Sequence, residues 1–480
     1  MSATVKTSSP RLLTVSVDID NHYKSKIYTT ASKVSGNVII HAQQDVAFTD
    51  VDIQFLGIAS SRLDFVSHYL SHSIRTFLNI PMPVPEDDLP SPRIFQANRT
   101  YVIPFEFVVP SQLTLHACTH HTDSPDVKDR HLRLPPSVNT WEADDLSPDP
   151  THIEYVVRAR VSQKGEKEPY EATQAINILP AFPEEPPVHI TSGDIHYCPS
   201  KEKPVRKNFF TSNLGTLRVS ARQPRAIMLA ADGRTSSASA AHVELEFFPS
   251  KNSQTKPPEI HSVSGKLVAE SWWGGSIQAG LPNMGKRCVT HFPIYSKAVP
   301  LFSRRTGKLS WSGYESGPQR RTSESSNSSV DSFSMGLRSD SLSPSEESSP
   351  CSSRRNSCFV AEQPAYRAKI NAPFSLPMSN KKVFLPSFYT CNLSRTYSLE
   401  LTIVTGSAKR SSTTLCLPLQ IGVEPSAAAL SALQTDELPS FETALLVGDS
   451  LGDSLAASAG EESQRRVSLP SYGDRVHRFQ

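Results

Sequence analysis

The sequence predicts an all-β chain of two antiparallel β-sandwiches, and three observations carry that expectation. Short apolar rows recur with a period of two, turn-rich segments separate them, and no helical period competes with them. The first row is Leu13, Val15, Val17 and Ile19, the second Val34, Gly36, Val38 and Ile40, and the third Val51, Ile53 and Phe55, with Gly57 expected to end it. Successive strand side chains alternate faces, so Tyr101, Ile103, Phe105 and Phe107 share one side, and Pro104 marks an edge or a bulge. Ile153, Tyr155, Val157, Ala159 and Val161 repeat the alternation and set Glu154, Arg158 and Arg160 on the wet face.

The prolines between Pro180 and Pro187 stiffen an extended connector, which places a domain boundary there. Beyond it Leu217, Val219 and Ala221 alternate, as do Val243, Leu245 and Phe247. After a long gap come Tyr397, Leu399, Leu401 and Ile403, then Leu415, Leu417, Leu419 and Ile421. Within the gap, residues 303–360 are mainly Ser, Arg, Glu, Asp and Gly, with too few large apolar groups to offset the entropy of ordering. That stretch reads as a disordered insertion inside the second sandwich, because strands resume near Tyr366 to Phe374, and a long loop adds only a slowly growing closure cost. The expected division is a disordered segment 1–10, a first sandwich 11–185, a second in two parts, 186–302 and 361–425, and a disordered tail 426–480.

With 480 residues the chain has room for two or three domains at about 150 residues each. Its 38 Pro, 21 Gly and 38% hydrophobic content are lean for a chain folded from end to end, which agrees with the disordered segments. A formal charge of +2 supplies no long-range field towards nucleic acid or anionic membrane. Seven Cys without a CxxC pair leave one thiol over in any disulfide scheme, so reduced cysteines in a cytoplasmic protein are the simpler account. No signal-peptide core and no run of about 18 apolar residues is present, so membrane association is expected to be peripheral.

Three pieces in the first half resemble the amino-terminal domain of arrestins: Pro104 to Pro110, Leu134-Pro-Pro-Ser-Val138, and Tyr155 to Val161. Leu385-Pro-Ser-Phe388, Arg395 to Leu401 and Leu415 to Ile421 are similar to the end of the arrestin carboxy-terminal domain. The resemblance spans residues 11–425 without the insertion and is nearest to the alpha-arrestins. It implies two immunoglobulin-like sandwiches and no enzymatic activity. It further implies an adaptor that links cytosolic segments of plasma-membrane transporters or receptors to a WW-domain, HECT-type ubiquitin ligase, for ubiquitination, endocytosis and sorting of the cargo. The place of work would be the cytoplasm, with recruitment to the plasma membrane or endosomes.

Alpha-arrestins hold their ligase through Pro-Pro-x-Tyr or Leu-Pro-x-Tyr motifs, and Leu469-Pro470-Ser471-Tyr472 fits the second form. Pro470 presets an extended, polyproline-like backbone, and an aromatic WW groove receives the proline ring and the tyrosine. Leu438, Pro439 and Phe441 form a degenerate second motif without the phenolic hydroxyl. The Leu-Pro-Ser sequences at 89–91 and 385–387 read as structural instead. Three Arg-Arg-x-Ser sequences place Ser323, Ser357 and Ser468 as phosphorylation candidates, since two arginines suit the acidic pocket of a basophilic kinase.

The remaining constellations are weaker. His116, Cys118, His120, His121 and His131, with Asp123, Asp126 and Asp129, offer ligand chemistry that suits zinc, but the spacing is not a standard one. The stretch therefore reads as a solvated loop, and neither metal nor cofactor is expected. Lys201 to Lys207 is a basic run that suits acidic headgroups or acidic cargo, or else a solvated linker. Trp272 and Trp273 lie where a strand meets a turn and read as buried packing ahead of a cargo contact. There is no Gly-rich phosphate loop, no nucleophile elbow and no local Ser, His and Asp signature. Two further classes remain beside the adaptor: a sandwich scaffold that works without a ligase, and an enzyme built around the His-rich loop.

Overall fold

In the computed structural model, ten strands among the described residues precede the Pro180 connector: β1 (Leu13–Ile19), β2 (Ile27–Tyr28), β3 (Lys33–Ala42), β4 (Val46–Ala47), β5 (Asp50–Asp64), β6 (Leu70–Met82), β7 (Ile94–Phe95), β8 (Thr100–Val108), β9 (Thr151–Ser162) and β10 (Tyr170–Ile178). A short helix, α1 (Pro125–His131), lies between β8 and β9. The described residues are 12–64, 70–163, 168–185, 199–206, 213–250, 255–274, 277–282, 294–316, 363–379, 382–406 and 411–435.

The predicted rows become strands because each has one face to bury. In β8, Ile103, Phe105 and Phe107 are buried while Val102, Pro104, Glu106 and Val108 are exposed. β1, β3 and β8 form one sheet with Pro104 on its edge strand, where a residue without an N–H costs no ladder bond on the open side. The order β2-β10-β9-β5-β6 forms a second sheet, antiparallel except for the short β2–β10 pair. Phe55 of β5 meets Phe107 of β8 at 5.8 Å between ring centroids, so the two sheets face each other across an aromatic core. Tyr155 extends that core and donates its hydroxyl to the Pro135 carbonyl at 2.6 Å. Ser137 exchanges bonds with Ile178, and Val138 pairs with Ile153, which explains why the Leu134–Val138 segment lies fixed against the second sheet.

Gly57 does not end its strand, contrary to expectation. The register of β5 against β6 shifts between Gly57 and Ile58, and the strand runs on to Asp64. A Cβ on Gly57 would stand 2.6 Å from the Phe77 ring, so the glycine is there for close approach at the bulge.

The second group comprises β11 (Ser200–Arg206), β12 (Asn213–Ala221), β13 (Ile227–Leu229), β14 (Ser239–Pro249), β15 (Ile260–Trp273), β16 (Ile294–Arg305), β17 (Ser312–Ser316), β18 (Gln363–Phe374), β19 (Phe388–Tyr389), β20 (Leu393–Thr405), β21 (Ser411–Leu419) and β22 (Ile421–Val423). One sheet runs β11-β12-β14-β18-β17 and the other β16-β15-β20-β19, with β21 also on β20; β13 pairs with β22 in parallel. Phe302 of β16 stacks with Phe374 of β18 at 6.1 Å, joining the two sheets. Both groups belong to one compact unit that reaches Ala429. The result is an all-β, sandwich-like fold of several sheets.

Three segments differ from the sequence expectation. β16 and β17 occupy residues 303–305 and 312–316, which were expected to be disordered, because they add to the edges of sheets that already exist. The basic run from Lys201 is also strand: β11 pairs with β12 through Arg206 and is no solvated linker. The tail begins with a helix, α2 (Ala427–Thr435), where a disordered start was expected. Residues 1–11, 317–362 and 436–480 lie outside the described residues. Among the described residues no helix is long and apolar enough to cross a membrane.

Candidate functional site

The segment between β8 and β9 joins the two groups of sheets. Its local fold starts with α1, whose first turn is capped by Ser124, the Oγ accepting the Val127 N–H at 3.4 Å, with Pro125 pre-set for the first helical position. Only seven residues long, α1 buries Val127 and His131. Arg130 and Arg133 both reach Glu185, which fixes the segment to the proline connector. The connector is docked too: Phe182 pairs with Val423, and Glu184 accepts the Ala226 N–H at 2.8 Å.

This docking brings four side chains together. Cys118 Sγ lies 3.7 Å from His120 Nδ1 and 3.8 Å from His131 Nδ1. Cys391, in the turn between β19 and β20, completes the set, and all four ligand atoms lie within 4.8 Å of one another. Cys118, His131 and Cys391 are buried, and His120 is partly buried. Arg75 of β6 donates to the Ala117 carbonyl, which also receives the Cys391 thiol at 3.8 Å. A cavity of about 20 Å³, room for one water-sized particle, touches Arg75, Phe77, His131 and Cys391.

Burial dominates the electrostatics here. It lowers the His131 pKa to about 4, with the charges of His120 and Arg75 acting in the same direction, so the ring is neutral near pH 7. His120 is also lowered by burial and by Arg75 and His121, against a hydrogen bond to the Gln278 backbone. The Cys391 thiol is pushed up to about 11 by burial and by Cys118, while Arg75 pulls it down. The sequence reading of a solvated loop therefore fails for Cys118 and His131. His116, His121, Asp123, Asp126 and Asp129 are exposed as expected, but Asp126 and Asp129 stand on α1 and not on a loop. Cys391 was missed altogether, since nothing in its own neighbourhood hints at a partner in the first half of the chain.

A second polar site lies between the same two groups. Arg395 of β20 is 1% exposed and donates from Nε to Ser271 Oγ at 3.0 Å. Its Nη1 reaches the Asp145 carbonyl at 3.1 Å and the Tyr397 hydroxyl at 3.2 Å, and its Nη2 reaches Ser147 Oγ at 2.6 Å. The buried Asp145 carboxylate is held in turn by the Asn139 and Ser147 N–H groups at 2.7 and 2.9 Å. Outside it, Asp144 takes Lys297 at 3.0 Å and Lys382 at 3.4 Å. Burial raises the Asp144 pKa, but Lys297, the Leu146 N–H and Lys382 outweigh it, so the carboxyl sits below its ordinary value. Arg395 thus clamps the 139–147 turn of the first group to β15 and β20 of the second.

Trp272 and Trp273 are buried as expected. Trp272 Nε1 donates to Thr396 Oγ1 at 3.0 Å, and Trp273 Nε1 to the Arg62 carbonyl at 3.3 Å, a further tie between the groups. The Leu385–Phe388 segment is structural, with Leu385 and Phe388 buried and Ser387 Oγ accepting from Ile421. The tail motifs Leu469, Pro470 and Tyr472, and Leu438, Pro439 and Phe441, lie outside the described residues, as do Ser323, Ser357 and Ser468. Neither a protein-family model nor a curated protein matches this chain.

Proposed function

We propose that this chain is a non-enzymatic adaptor of the arrestin type. Two tandem β-sandwiches hold a cytosolic segment of a membrane transporter or receptor, and the tail holds a WW-domain, HECT-type ubiquitin ligase through Leu469, Pro470 and Tyr472. The observation that carries the reading is the Arg395 clamp. The segments that resemble arrestins, Leu134–Val138 and Arg395–Leu401, lie at or beside the junction of the two groups of sheets, with Arg395 inserted against the turn that follows the first of them. An adaptor gains from such a junction, because cargo and ligase are then presented from one body. A tethered ligase reaches bound cargo at an effective concentration set by the linker and not by its bulk concentration.

The protein works in the cytoplasm and moves to the plasma membrane or endosomes with its cargo. Phosphorylation at Ser468 by a basophilic kinase adds up to about two negative charges beside Leu469 and so changes the ligase contact. The test is binding of a peptide spanning Glu461 to Gln480 to WW domains of a HECT-type ligase, unmodified and phosphorylated at Ser468. Binding that depends on Tyr472 supports the adaptor, and a difference between the two forms identifies the switch. Absence of binding by both forms removes the ligase from the account and leaves a sandwich scaffold.

A further inference from the structure

We infer that Cys118, His120, His131 and Cys391 bind one zinc ion, which staples the β8–β9 segment to the β19–β20 turn. Tetrahedral zinc with bonds of about 2.0 Å to nitrogen and about 2.3 Å to sulfur has edges of about 3.3–3.8 Å between ligand atoms. The 3.7 and 3.8 Å sulfur–nitrogen separations from Cys118 Sγ are close to the edge of about 3.5 Å that such a pair needs, and the whole set contracts from its 4.8 Å limit. Two sulfurs and two imidazole nitrogens in a tetrahedral set select zinc over harder divalent cations.

The protein partners present do not satisfy this group. His131 is 2% exposed, yet its Nε2 has no hydrogen-bond partner and its Nδ1 meets the Cys118 sulfur at 3.8 Å. The Cys391 thiol makes a long contact to the Ala117 carbonyl at 3.8 Å, with Cys118 and Arg75 as its other side-chain partners. Buried polar atoms without partners are uncommon in folded proteins and costly. A cation on Nδ1 of His131, on one nitrogen of His120 and on both sulfurs replaces these long contacts by bonds, while His131 Nε2 stays without a protein partner.

Charge favours the same conclusion, because two thiolates neutralise the ion and leave no net charge to bury. Arg75, bonded to the Ala117 carbonyl beside both cysteines, supplies a positive outer partner that favours the thiolates. Four protein ligands close the coordination sphere, so the ion is structural and leaves no position for a substrate. Three ligands come from one segment and the fourth from a turn far along the chain, so binding closes a long loop and couples metal affinity to the docking of the two groups. This inference is independent of the adaptor reading, since neither the tail nor a ligase takes part.

The experiment is metal analysis of the full chain, purified under reducing conditions and dialysed against zinc and then against buffer. The expected content is about one zinc per chain, with cobalt exchange giving the visible bands of a tetrahedral, thiolate-bound ion. Cys391→Ser should lose the ion and lower the thermal midpoint, while Cys416→Ser, on an exposed cysteine, should keep it. If Cys391→Ser does not fold, the content and cobalt spectrum of the unmodified chain decide alone. A wild-type chain that retains no zinc, or a Cys118–Cys391 disulfide found by mass mapping of the natively alkylated protein, overturns the site.

Discussion

Replacing Arg395 by Met should be among the most damaging single changes in the molecule. The guanidinium is buried and makes four hydrogen bonds, to Ser271, Asp145, Tyr397 and Ser147. Four bonds from a charged donor would be worth about 6–12 kcal/mol if they added at about 1.5–3 kcal/mol each, which is an upper bound because removing a buried cation also returns its desolvation cost. Breaking a buried charged set by deleting one member costs about 3–5 kcal/mol, and that is the expected loss. With a urea slope of about 2–3 kcal/mol per M the midpoint falls by about 1–2.5 M. The assay is urea unfolding followed by tryptophan fluorescence, since Trp272 bonds to Thr396, next to Arg395. Arg218→Met is the comparison, because its links to Glu202 and Glu246 lie towards the surface and should be worth about 1 kcal/mol or less. Arg395→Lys keeps the charge but not the planar fork and should fall between the two. A midpoint for Arg395→Met within about 0.3 M of Arg218→Met would refute the clamp.

Two further outcomes follow from local geometry. Gly57→Ala puts a Cβ 2.6 Å from the Phe77 ring and should lower stability by about 1–3 kcal/mol, read as a fall in thermal midpoint, while Gly313→Ala, with open space around it, should not. Burial raises the Glu246 pKa, but hydrogen bonds from Arg367 and Tyr314 and the charges of Arg367 and Arg218 lower it more, so the net shift is downward. A depressed carboxyl stabilises the fold above its unfolded value, near 4.5, and loses that contribution as pH falls through the folded value. Glu246→Gln should therefore lower stability at pH 7 and flatten the acid limb of the stability profile, measured by urea midpoints between pH 7 and pH 3.

The strands with one buried face were legible in sequence because alternation is a local property: β1, β3, β8, β9, β12, β14 and β20 each carry their own row. β6 was not legible. It is a sheet-edge strand whose outward Ile74 is 66% exposed, and the shift opposite Gly57 breaks its alternation between Phe77 and Leu78. β11 and β17 escaped for a related reason, since edge strands full of Lys, Glu and Ser take their order from a neighbour. The Cys and His cluster was half legible. Cys118, His120 and His131 stand close in sequence, but the fourth member comes within reach only after β19 and β20 dock on the β8–β9 segment. Arg395 shows the same limit, because a basic residue in a strand row gives no sign that its partners are Asp145 and Ser147 of the other group.

The ligase contact in the adaptor reading turns on Tyr472, and titration calorimetry of the full chain against WW domains of a HECT-type ligase tests it. The account predicts micromolar binding by the wild-type chain, of about −8 kcal/mol, that Tyr472→Ala abolishes while leaving the unfolding midpoint unchanged. Equal binding by the wild-type and Tyr472→Ala chains, or heat from neither, would contradict it.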